Sequence, residues 1–136
     1  MSRIWIPIEV PHKDICITFE MAGLEFDAVG FMRDGESDIS ASEMFRRTDN
    51  GLIVDNEFII WRILRHQGKL PAELRGRYLC TKCPGFGANA RLQYTALFFD
   101  DDRWRECSCL LGRHEQETPG ITESPCNEWQ LVLRHR

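Results

Sequence analysis

Apolar and polar residues alternate with a period of two near both ends of this chain, and two helical stretches lie between. Arg3–Val10 (RIWIPIEV) sets Ile4, Ile6, Ile8 and Val10 against Arg3, Trp5, Pro7 and Glu9, which is a strand pattern. Pro7 has no ladder donor, so that strand is expected at a sheet edge. Ile15–Met21 is rich in β-branched and aromatic residues, Ala22-Gly23 turns the chain, and Leu24–Met32 returns. These three pieces predict a hairpin. Arg33–Asp38 reads as a polar loop.

Two helices follow. Ser40-Ala-Ser-Glu43 has the spelling of a capping box, with Ile39 and Met44 spaced as a hydrophobic staple. It predicts a helix from Ala41 to about Arg47, broken by Asp49-Asn50-Gly51. Asp55 or Asn56 is placed to cap a second helix running to about Gln67. Its apolar residues Phe58, Ile59, Trp61, Ile63 and Leu64 cover a wide face, and Gly68 stands where a C-cap belongs. The linker between the helices is too long for a helix-turn-helix, and Asp55 and Glu57 fall where base contacts would be made.

Beyond a short turn at Leu70–Leu74, strand patterns return. Gly76–Cys80 begins the second half. Arg91–Asp100 puts Leu92, Tyr94, Ala96 and Phe98 on one side, and Asp100-Asp-Asp102 turns into a strand over Arg103–Leu111. Gly112–Cys126 is polar with two prolines, and Glu128–Arg134 (EWQLVLR) is expected to close the sheet. The expected fold is α+β: an N-terminal β-hairpin, two short helices and a C-terminal antiparallel sheet. The chain is read as one domain, 1–136, with possible sub-lobes 1–69 and 70–136.

Composition narrows the function classes. The 136 residues are 43% hydrophobic and 28% charged, as in ordinary globular proteins. A formal net charge of −4 disfavours a general phosphate-backbone binder. The acidic surplus lies in the first half, and nearly all cations of the second half are arginines. The longest uncharged apolar run, Phe58–Trp61, is far too short for a membrane span, and no secretory pattern opens the chain. We therefore expect no membrane association, a cytoplasmic setting and reduced cysteines, which more often bind metal than form disulfides.

Those cysteines carry the strongest candidate chemistry. Cys80-Thr-Lys-Cys83 and Cys107-Ser-Cys109 are separated by 23 residues, about one long hairpin. Folding that hairpin would bring four thiolates around a structural Zn²⁺ in a zinc-ribbon-like cluster. The second pair departs from the usual Cys-x2-Cys. His114 or Cys126 could replace one sulfur, and small core thiols are the alternative to any metal. Cys16, remote from both pairs, is expected to be an ordinary buried thiol.

Other motifs fall away on context. Pro84-Gly85-Phe86-Gly87 after Cys83 is a poor helix start, which argues against a redox Cys-x-x-Cys. Gly85-Phe-Gly87-Ala-Asn-Ala90 lacks the surrounding βαβ unit of a dinucleotide site. His114-Glu115 lacks the second histidine of a zincin, and no nucleophile elbow or Walker loop occurs. Arg91, Arg103, Trp104, Arg105 and Trp129 could form an interaction face, although core tryptophans explain the same residues. The leading expectation is a non-enzymatic interaction module with structural zinc and a protein partner. A nucleic-acid binder using the Arg/Trp face is second, and a zinc- or thiol-dependent enzyme third.

Overall fold

Ala22 and Gly23 both adopt positive φ, 54° and 83°, as the two central residues of a primed turn require. That turn joins β1 (Cys16–Met21) to β2 (Leu24–Val29) in antiparallel register, with Phe19 opposite Phe26. The computed structural model describes residues 16–82, 93–110 and 125–135; the strand expected over Arg3–Val10 lies outside them. Asp101 and Asp102 repeat the device at φ 56° and 67°, a conformation that aspartate tolerates better than most residues. They connect β5 (Gln93–Asp100) to β6 (Arg103–Leu110), which pair along their full length.

The last strand departs from expectation. β8 (Gln130–His135) does not close an antiparallel sheet from outside. It enters between β2, to which it is antiparallel, and β4 (Tyr78–Lys82), to which it is parallel. Among the described residues the result is one six-stranded mixed sheet of order β1-β2-β8-β4-β5-β6, shared by the N-terminal hairpin and the C-terminal strands. Leu131, Val132 and Leu133 are all fully buried, as a strand covered on both faces demands. Residues 52–54 brace it: Val54 N–H donates to the Leu133 carbonyl at 3.0 Å and His135 N–H to the Leu52 carbonyl at 2.9 Å.

Each sheet face has its own helix. α2 (Glu57–Arg65) packs Ile60 and Ile63 with Phe26, Leu79, Leu97, Leu131 and Leu133. α1 (Ala41–Thr48) packs Ala41, Met44 and Phe45 with Val29, Val132, Cys80, Tyr94 and Ala96 on the other face. A two-residue ribbon, β3 (Ile39–Ser40) against β7 (Pro125–Cys126), lies at the start of α1. The fold is α+β.

The helix ends are satisfied by the residues that sequence spacing indicates, with two differences. Ser40 Oγ accepts from Glu43 N–H at 3.1 Å, but the Glu43 carboxylate turns outward to Arg46 and Arg47. Asn56 Oδ1 caps α2 by accepting from Phe58 N–H at 2.7 Å. α2 ends at Arg65 with His66 as its cap, and Gly68 falls in the 3₁₀ turn Gln67–Lys69 that follows.

Arg47 anchors α1 to the preceding loop: its guanidinium meets the Glu36 carboxylate at 2.8 Å and donates to the Phe31 carbonyl at 3.0 Å. Arg47, with Arg33 N–H, lowers Glu36 to about 2, and Arg46 with Arg47 does the same for Glu43. Both carboxylates therefore contribute stability that is complete above their ordinary value of 4.5 and is lost as pH falls through about 2. Thermal unfolding of wild type should lose stability across that acid window, and the Glu36→Gln/Glu43→Gln variant should lose less there while starting lower at neutral pH. Parallel pH profiles for the two proteins would contradict the assignment.

Candidate functional site

The thiols can be placed from the register. Cys80 pairs with Ala96, and Ala96 with Cys107, so Cys80 and Cys107 share one row and one face of the sheet with a whole strand between them. Neighbouring strands are about 4.8 Å apart, which separates the two backbones by about 10 Å. Thiolates on one zinc ion, each about 2.3 Å from it, approach within about 4 Å. Cys80 Sγ lies 4.0 Å from Gln130 Nε2 on β8, the neighbour on the side away from β6. Gln130 Nε2 also donates to Tyr94 Oη at 3.3 Å, and Tyr94 Oη lies 3.6 Å from the buried Cys126 Sγ. This is a polar thread through an apolar layer, with Phe45 edge-on to Tyr94.

The described residues therefore do not build the expected zinc-ribbon-like cluster. Among them no three His, Cys, Asp or Glu side chains converge as a metal group would. Cys83 and His114 lie outside the described residues, and Cys109 is placed only by its backbone, opposite Tyr94. Cys16 also departs from expectation: it is exposed, on the face of β1 that it shares with exposed Thr18 and Glu20 and opposite to buried Phe19 and Met21.

The expected Arg/Trp face divides in two. Trp104 is only 3% exposed and belongs to the α2 side of the sheet. It meets Phe99 edge-on at 5.8 Å, and its backbone N–H donates to Gln67 Oε1 at 2.6 Å. Arg103 and Arg105 point to the opposite face, with Arg105 in register with Phe98. Arg91 lies outside the described residues.

Trp129 of the expected face remains exposed, and two aromatics that the sequence pattern did not single out, Tyr78 and Phe98, lie on the strands between β8 and Arg105. Tyr78 stacks on Phe98 with ring centroids 5.7 Å apart and planes at 29°. Tyr78 is 44% exposed and Trp129 50%, and Tyr78 N–H donates to the Trp129 carbonyl at 2.8 Å. The turn that presents Trp129 is tied down from below. Buried Arg77 donates from Nη1 to the Glu128 carbonyl at 2.7 Å, and burial pushes its guanidinium down to about 10. Asn127 Oδ1 accepts from Trp129 N–H at 2.9 Å, and Gln130 Oε1 accepts from Asn127 N–H at 2.7 Å. Arg105 approaches Asp100 and Asp101 at 3.8 and 3.7 Å, so its charge is largely answered locally.

Comparison with known protein families, curated proteins and solved structures returns no match.

The placement of the thiols makes a direct forecast. Brief treatment of native protein with a thiol reagent should label Cys16, while Cys80 and Cys126 react only after unfolding. Peptide mapping by mass spectrometry reads this out. Labelling of Cys80 at the rate of Cys16 would contradict the burial described.

Proposed function

We propose that this chain is a non-enzymatic interaction module that docks a protein partner on the surface formed by Tyr78, Phe98 and Trp129, with Arg105 at its rim. The observation that carries the reading is two half-exposed aromatic side chains, Tyr78 and Trp129, on a turn and strand held in place by internal hydrogen bonds. Aromatic anchors fixed before binding lose little conformational freedom on association, and Tyr, Trp and Arg are the residues that most often dominate protein interfaces. The carboxylates of Asp100 and Asp101 beside Arg105 favour a protein partner over a nucleic-acid backbone.

The test is affinity capture from the native host with the wild-type chain and with the Tyr78→Ala/Trp129→Ala variant. Anchor truncations of this kind cost roughly 2 kcal/mol each. Capture of a defined partner by wild type should therefore fall by more than tenfold in a variant whose circular dichroism is unchanged. Equal capture by both proteins would contradict the proposed surface.

Structural zinc is a separable element of the proposal, supported by the close sequence spacing of Cys80 with Cys83 and of Cys107 with Cys109; because β5 separates Cys80 from Cys107, the ion would sit on one pair and not join the two. Elemental analysis of protein never exposed to chelator should then find about one equivalent. Metal below about a tenth of an equivalent removes zinc from the reading and leaves the docking surface intact.

A further inference from the structure

α2 buries one side against the sheet and leaves a second, unusual stripe outside. Phe58, Trp61, Arg62 and Arg65 stand at i, i+3, i+4 and i+7, one line along a helix. Phe58 is 70% exposed and Trp61 59%, and their rings meet edge-on at 6.2 Å. Large aromatics on an outer helical face forfeit burial that elsewhere stabilises a fold, so such a patch points to a partner.

The charges along α2 identify that partner. Asp55 and Glu57 lie at its N-terminal end, and Arg62 and Arg65 at its C-terminal end. Elsewhere in the described residues several arginines meet carboxylates: Arg46 and Arg47 with Glu43, Arg105 with Asp100, Arg134 with Asp27. Among the described residues, Glu57, Arg62 and Arg65 of α2 and Asp55 just before it form no ion pair. They cannot answer each other within the helix. A rise of about 1.5 Å per residue puts Glu57 about 7.5 Å along the axis from Arg62 and about 12 Å from Arg65.

A second α2 running antiparallel solves this. With a two-fold axis level with Ile60, the acidic end of each helix comes level with the basic end of the other. Phe58 of one copy then comes level with Arg62 of the other, where a guanidinium can lie over the ring. The two Trp61 side chains flank the axis, and the opposed helix dipoles add in the same sense. The stripe is thus complementary to itself, as a two-fold interface must be. We propose that the chain forms a homodimer through the outer stripe of α2, paired antiparallel with a second copy. This inference uses none of the Tyr78–Trp129 surface and stands or falls separately from it.

Sedimentation equilibrium of the full chain from about 5 to 500 μM should show a monomer–dimer equilibrium, since a contact of this size belongs with the weaker interfaces. The Phe58→Ala/Trp61→Ala variant should be monomeric throughout, with unchanged circular dichroism because neither ring is in the core. Asp55→Arg and Arg65→Asp should each weaken dimerisation at least tenfold by placing like charges across the axis. An equimolar mixture of these two variants should recover it, because both contacts then pair opposite charges. A wild-type chain that is monomeric over the whole range overturns the proposal, and would leave α2 to an acidic protein or a lipid surface. A dimer that survives the double alanine variant, or charge variants that fail to complement on mixing, overturns it equally.

Discussion

The insertion of β8 between β2 and β4 is the constraint on which the rest of this structure depends. The strand comes last among those described, yet it holds the centre of the sheet. Its two neighbours belong to opposite halves of the sequence, so neither half can complete its own sheet. Buried Asp27 on β2 is met by Arg134 on β8 at 3.0 and 3.3 Å, and Arg134 also donates to the Thr48 carbonyl at the end of α1. One residue thus joins hairpin, central strand and helix. Leaving that carboxylate without its cation would cost several kcal/mol, of order 3–5.

The same insertion positions the proposed docking surface. Trp129 immediately precedes β8, and Tyr78 opens β4. The parallel pairing of those strands, Tyr78 with Gln130, brings the two aromatics to one end of the sheet. Antiparallel pairing of β4 with β5 then sets Phe98 against Tyr78. The surface therefore follows from sheet order and could not survive a different placement of β8. The outer stripe of α2 is set differently: burying Ile60 and Ile63 leaves Phe58 and Trp61 no route inward.

Local chemistry was legible in the sequence and long-range pairing was not. Ala22-Gly23 and Asp101-Asp102 specify their hairpins because left-handed residues are needed there and few residues adopt that conformation. Ser40 and Asn56 mark helix starts because their side chains compete for the first backbone donors. The hairpins, both helices and the α+β class follow from such signals. The place of β8 does not, since periodicity says which face a residue takes and nothing about which strand lies alongside. Its clue was Leu131-Val132-Leu133, an unbroken apolar run suited to burial on both faces. The tryptophans show the same division. Trp104, between Arg103 and Arg105, is buried by strand alternation, whereas Trp61 lies on a helix too apolar around its circumference for pattern alone to choose its inner side. The cysteine spacing suggested proximity, but β5 intervenes between Cys80 and Cys107. Tyr78 and Phe98 met only once the register was known.

Native-state hydrogen exchange tests the central place of β8 most directly. If β8 binds both halves into one cooperative unit, the slowest amides of β2, β8 and β4 should exchange with one shared free energy, equal to that of global unfolding measured with denaturant. Arg134→Leu should lower all three together. A β1–β2 hairpin that opens at a clearly lower free energy while β4, β5 and β6 stay protected would contradict the account, and would make residues 16–69 and 78–108 separate folding units.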